Sequence, residues 1–572
     1  QRTTSHLVLG LLPLIAGLGL GCGSTIDTGA LEEDGGGTNQ DTAGGSDAVG
    51  TDVPLSPTSC VAKLTFDAKN ATVAELRAKT ALPILMTLGD DGGSKGDHPL
   101  KVVLIKSDGT ELKTLFDATK PLGDTKIDFV PSDVTGLVPD AYTVRATLGC
   151  PADAKTATPA KQETKVFVLR LGAKSLGIDK GDGEKFPLLY HAVGGASKNY
   201  YPIPATAFAS SIATPAGEPE LDSSAGAPRA FPALWTKLDT PLVDASDAVI
   251  DNGTTNPISL KIGTKPDVVF TLGKTAAGGA GNVPSGLALP GVPAIRIAFD
   301  DGAPAGTEGV IADDKTTIRL AKSPVPAIQK ADLTLKWHFE TKNAAGDWVA
   351  IPDAKQEAAV RIYGVLGNDQ GTTSPNLPWV AVVDDVTTKI AGTASDADGA
   401  RAILVEHVYE DMKLTYDRRA GASHYCGATS SDGYSAESFY LSSFLLKKYG
   451  NIVNCSDCAS ILSTYANMIG AKLHYAIIGW NFGLNPIQGI GATTFGSPFD
   501  SGRMGFSYHA VTTPNATVNI YDGTLAVDGD DDPTTAPQTK KLVVNLTGAD
   551  YLKRLSNTTP EYKYVDQKTT VQ

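Results

Sequence analysis

The hydrophobic period of this chain changes after Pro378-Trp379, and that change divides what the chain can fold into. Before it, apolar residues alternate with polar ones in short runs. After it, they first recur at helical spacing and then alternate again. Alternation at period two belongs to strands with one buried face, and recurrence at i, i+3, i+4 to helices. The chain therefore reads as multidomain, β-rich first and α+β last.

In the β-rich part, Val102-Val103-Leu104-Ile105 runs into the turn signal Ser107-Asp108-Gly109, Pro139-Asp140 opens the alternating run Ala141–Leu148, and Lys165–Leu171 reads as a closing strand. The 60 glycines and 35 prolines supply turns throughout, so short strands joined by loops are expected. This predicts an Ig-like β-sandwich over 59–172. Residues 173–254 are rich in Pro and Ala, show no clean period and yield no assignment. Asp267–Leu272, Ala294–Phe299, Leu333–Phe339 and Ala359–Tyr363 predict a second sandwich over 255–372.

Leu7–Leu20 is apolar and uncharged, and too short to span a bilayer comfortably. It ends in Gly21-Cys22-Gly23-Ser24, which resembles a bacterial lipobox. The resemblance implies a signal peptide over 1–22, a lipid on Cys22 and a protein held at an extracytoplasmic membrane surface, the outer membrane or cell surface. An ordinary secretory signal is the other reading. Residues 23–58 are Gly, Asp, Thr, Ser and Ala almost without aromatics, and predict a disordered linker. The formal charge of −14 leaves no basic excess to neutralise phosphates, so nucleic acid is excluded as the main partner.

Over 373–572 the pattern predicts helices at Ala400–Met412, Ser435–Tyr449 and Cys455–Ile469, the last stopped by Gly470. Strands follow at Leu473–Ile478, Ser507–Thr512 and Thr517–Tyr521. Asn454 is a favourable N-cap for the third helix, and Asp457 reads as the acidic end of a capping box. Cys455 then sits on the first turn, where free N–H groups and the helix dipole favour a thiolate. His509, placed near the middle of a strand, supplies a base. A turn centred on Pro514-Asn515 would put Ile520 or Tyr521 opposite His509. Asp522, one step further, would then orient the ring, while Asp528 falls in a loop that leaves the sheet. Bland readings stand beside these. Cys455 and Cys458 also fit a Cys-x-x-Cys redox or zinc pair, His509 a core histidine, and Asp522 a turn residue. Asp528–Asp532 fits a calcium loop less well than a solvated turn, because EF-hand spacing is missing.

Cys455-Ser456-Asp457-Cys458-Ala459, the apolar helix after it, Gly470 and the strand Leu473–Ile478 resemble the transglutaminase-like superfamily. His509-Ala510-Val511 corresponds to its His-Ala-x-Val segment with one residue fewer, and Asp522-Gly523-Thr524 to its Asp after an aromatic-ended strand. The resemblance covers about 190 of the 572 residues. It implies a papain-like α+β fold, a Cys455–His509–Asp522 triad, no cofactor and no metal, and attack on protein or peptide amides through an acyl-thioester. Tyr416 is the candidate for a second oxyanion donor, with a core tyrosine as the alternative. If Cys22 is lipidated and Cys455 is the nucleophile, four cysteines remain, and export favours disulfides Cys60–Cys150 and Cys426–Cys458. The competing function is an adhesion or scaffold protein whose C-terminal domain binds without turnover.

Overall fold

A computed structural model of the chain describes residues 59–179, 257–272, 291–300, 315–367, 378–427, 438–514 and 519–560 apart from a few isolated positions. Short strand segments between these stretches and the backbone of Tyr562–Gln567 and Thr570–Val571 are also described. The lipobox with Cys22, the linker 23–58 and most of 180–256 lie outside the described residues. Among the described residues no helix is long and apolar enough to cross a membrane. The architecture is β-rich, and among the described residues its α-helices lie in the C-terminal region.

The first sandwich closes two sheets over one core. One sheet runs in the order Gly123–Phe129, Leu82–Asp90, Cys60–Phe66, Ala157–Thr158. The other runs Val73–Glu75, Ala160–Leu169, Asp140–Leu148, His98–Ile105, Glu111–Lys120. Alternation drives it: Leu82–Asp90 buries Leu82, Ile84, Met86 and Leu88, and Asp140–Leu148 buries Tyr142, Val144, Ala146 and Leu148. Tyr142 donates to the Val138 carbonyl at 2.9 Å and accepts from its N–H at 3.0 Å, a tyrosine-corner arrangement. The Cys60–Cys150 disulfide is present, with a Cα separation of 5.9 Å, and links the two sheets.

In the second sandwich, Ala173–Asp179 pairs antiparallel with Asp267–Leu272, so this unit draws on the stretch that had no assignment and begins well before residue 255. The long hairpin Gln329–Lys342 with Trp348–Val365 forms the centre of the facing sheet. Trp337, Phe270 and Phe339 fill the core between them. The two sandwiches meet at Asp353, whose carboxylate accepts from the N–H groups of Lys79 and Thr80 and from the Thr80 hydroxyl, at 2.6–3.0 Å. Ala345 N–H to the Ala68 carbonyl adds a fourth bond at 3.1 Å.

The C-terminal region holds α1 (Val380–Ile390), α2 (Ala397–Glu406), α3 (Leu441–Leu445), α4 (Cys455–Met468) and α5 (Gly548–Leu555). Its antiparallel sheet runs Gln488–Gly489, Asn519–Asp528, His509–Thr513, His474–Ile478, Tyr562–Gln567, with Lys540–Thr547 also on Asn519–Asp528. Two expectations are corrected here. The helix expected over Ser435–Tyr449 is only the five residues of α3. Ser438–Phe439 before it is a strand, and Tyr440 N–H bonds back to the Tyr425 carbonyl. The helix expected over Ala400–Met412 is α2 followed by one π-turn, His407–Asp411. Every residue of α4 except Asn467 is buried, as befits a helix enclosed on all sides. It stops at Gly470, whose φ of +79° and approach to the Gly367 backbone (2.5 Å for an added Cβ) leave room for glycine alone.

Candidate active site

The start of α4 is fixed by its own sequence. Asn454 accepts from the Asp457 N–H at 3.0 Å, and the Asp457 carboxylate accepts from the Asn454 N–H at 3.1 Å, a complete capping box. Asp457 does more than cap. It also accepts from Ser423 Oγ at 2.6 Å, Tyr425 N–H at 2.8 Å and His424 N–H at 2.9 Å, so one buried carboxylate ties the 423–425 loop to the first turn. Cys455 follows the cap and is 3% exposed.

His509 opens the strand His509–Thr513 rather than sitting in its middle, and pairs with Ile478. On the other side Thr512 pairs with Tyr521, and that register continued puts Asp522 opposite Val511, on the same sheet face as His509. The expected pairing of Ile520 or Tyr521 with His509 is therefore wrong by several residues, because the connection is longer than a turn at Pro514-Asn515. Asp522 still meets the ring, diagonally: His509 Nε2 lies 2.8 Å from Asp522 Oδ2, both side chains buried. Asp528 does not leave the sheet; it ends the same strand, opposite Lys540.

Asp522 is held from two further sides. Oδ1 accepts from the Thr524 N–H at 2.7 Å, and Oδ2 accepts from the Tyr551 hydroxyl at 2.6 Å. The second ring nitrogen of His509, Nδ1, is buried with no hydrogen-bond partner. It is the nitrogen left for Cys455, the ring's other interacting neighbour. Burial opposes the charged ring, but the charge and hydrogen bond of Asp522, with a contribution from Cys455, outweigh it and push the His509 pKa up to about 10. The structure thus brings Cys455, His509 and Asp522 together at the junction of α4 and the sheet.

Around Cys455, Ser456 Oγ lies 2.9 Å from the Tyr508 hydroxyl and accepts from Tyr475 at 3.1 Å. Tyr416 is buried and packs edge-on against Phe499, 5.9 Å between ring centres. Burial raises its hydroxyl pKa, and proximity to Cys455 adds to the rise. The expected Cys426–Cys458 disulfide is absent: both are free thiols. The reason is helical geometry. Cys426 Sγ contacts Ser460 at 3.3 Å, whereas Cys458 interacts with Thr524, and positions 458 and 460 point to nearly opposite sides of a helix. Burial also pushes the Cys458 thiol well above its usual range, which keeps it protonated beside Cys455. Among the described residues one group approaches metal-ligand geometry, Cys60 with Asp90 and His98, and its sulfur is committed to the disulfide.

Sequence reasoning placed Thr524 only within the Asp522-Gly523-Thr524 match and missed its bond to Asp522, the 423–425 loop and Tyr551. The helix carrying Tyr551 has a signal, since Thr547 caps it by accepting from the Asp550 N–H. Nothing local aims the tyrosine at Asp522.

No family model and no curated protein matches the chain. Solved structures overlap it slightly. Three N-terminal domains of the bacteriophage RB49 highly immunogenic outer capsid protein cover 54% of this chain and 70% of that one, at 8% identity and TM-score 0.20. A structure from a 1.5-MDa bacterial ice-binding adhesin covers 54% and 99%, at 9% identity and TM-score 0.17. Protocadherin gamma B2 cadherin domains 3–6 cover 55% and 56%, at 8% identity and TM-score 0.15. At these scores the overlaps carry no argument about the site.

Proposed function

We propose that the C-terminal region is a transglutaminase-like, papain-type cysteine hydrolase or acyltransferase acting on protein or peptide amides. One observation carries this: a buried His509 is held by Asp522 through Nε2, and its unpartnered Nδ1 is left to Cys455 on the capped first turn of α4. In this reading the Cys455 sulfur forms a bond to the amide carbonyl carbon. His509 delivers its proton to the departing amine as the C–N bond breaks. Water or a second amine then attacks the acyl-thioester, with His509 taking the proton, and the thiol is released. The Cys455 N–H is the natural oxyanion donor, and Tyr416 is proposed as the second. The chain around it is proposed to be an exported lipoprotein, anchored through Cys22, whose sandwiches present this region outside the cytoplasm. The Cys60–Cys150 disulfide supports an oxidising compartment.

The test is alkylation by iodoacetamide at mildly acidic pH, mapped by mass spectrometry. Cys455 should be modified first, in a His509-dependent way. Preferential modification of Cys458 in the native protein would overturn the assignment. A second reading, a module that binds without turnover, is favoured by one fact, the 3% exposure of Cys455. It predicts no alkylation of Cys455 in the folded chain. Incubation with cell-envelope material and a labelled amine then separates hydrolysis from transfer.

A further inference from the structure

Two rings compete for one carboxylate oxygen at the base of the site. Asp522 Oδ2 accepts from His509 Nε2 at 2.8 Å and from the Tyr551 hydroxyl at 2.6 Å. Tyr551 is fully buried, on α5, and its ring centre lies 6.4 Å from that of His509. Its hydroxyl bonds Asp522 in a fully enclosed setting, so this bond both orders the carboxylate and takes up part of its hydrogen-bonding capacity.

We propose that Tyr551 is a positioning residue of this site, which fixes the Asp522 carboxylate and weakens its hold on the His509 proton. The inference rests on the catalytic reading above for its purpose, but its physical content does not. A donor on a carboxylate disperses the negative charge and so lessens the pull on a neighbouring imidazolium. Without it the imidazolium is favoured more strongly, and the ring gives up its proton less readily to a departing amine. The groups facing His509 and Asp522 are Cys455 and Cys458 on α4, Tyr409 on the π-turn and Tyr551 on α5. Tyr416 and Tyr508 lie near Cys455. Of these, the tyrosine hydroxyl bonded to Asp522 is that of Tyr551.

The experiment is a nitrogen-resolved NMR titration of the His509 ring in the full chain, assigned with His509→Gln. Tyr551→Phe should move the midpoint upward by about one pH unit, the scale of a single hydrogen bond to a charged group. Replacing Tyr551 with 3-fluorotyrosine, a stronger donor of nearly the same size, should move it downward. This second variant decides the matter if Tyr551→Phe does not fold. An unchanged midpoint in a folded variant overturns the proposal and leaves Tyr551 as packing. Alkylation of Cys455 in the unmodified chain is read separately: if it is absent, the catalytic reading fails, whatever the titration shows.

Discussion

The first sandwich and the region around α4 keep their folds by opposite means. The sandwich hides apolar side chains on alternate positions and closes with a covalent bond between its sheets. The α4 region buries Asn454, Ser456, Asp457, His509, Thr512, Asp522 and Thr524, and leaves all three of its thiols free. Buried polar groups cost free energy unless each is bonded, and here most are. On the proposed reading this division has a reason: the disulfide lies in the first sandwich, and the bonded polar network surrounds the sulfur and ring nitrogen that the chemistry would use.

The comparison breaks most sharply at Asp522. Asp522→Asn should lower turnover by about 10⁴-fold with the fold retained, as for the orienting carboxylate of a triad. Asp528→Asn should stay near wild type, because Asp528 ends the same strand beside Lys540, away from the ring. Steady-state kinetics of the two variants settle it; an active Asp522→Asn with a dead Asp528→Asn would move the third position to Asp528. Next in size is the disulfide. It closes a sequence separation of 90, so the Cys60→Ala, Cys150→Ala double variant should lose about 4 kcal/mol in urea unfolding of the first sandwich. Alkylation of Cys455 should be untouched, and a parallel loss there would show that the two regions are not independent. The third test is on pH. His509 has a folded pKa raised to about 10, above its ordinary ~6.5. Its stabilising contribution is thus complete below ~6.5 and is lost as pH rises through about 10. Thermal unfolding of wild type should weaken over that window relative to His509→Gln. A constant difference between the two would contradict the raised value.

What could be read beforehand follows the range of each interaction. The start of α4 was legible because a capping box spans three residues, Asn454 to Asp457. The strands Asp140–Leu148 and Asp267–Leu272 were legible because alternation is written along them. Three residues of the site could be singled out because a motif places them in order. The Cys426 pairing was not legible, since parity counts sulfurs and says nothing of which helix face each one meets. Nor was the register of His509 against Asp522, which depends on the length of a connection. Tyr551 touches Asp522 from 29 residues away, and no local pattern carries that contact.

Asp353 concentrates the joint between the two sandwiches on one side chain. This exposed residue, held at a φ of +55°, gathers three donors from the first sandwich on one side chain. Because all three converge on one carboxylate, loss of that single side chain removes all three bonds at once. The contact then keeps the bond from the Ala345 N–H, in the turn of the long hairpin Gln329–Val365, to the Ala68 carbonyl. That hairpin leads into Leu366, whose N–H bonds the Ile469 carbonyl just past the end of α4 at 2.9 Å. One hairpin thus touches the first sandwich near its turn and the end of α4 just past its last residue.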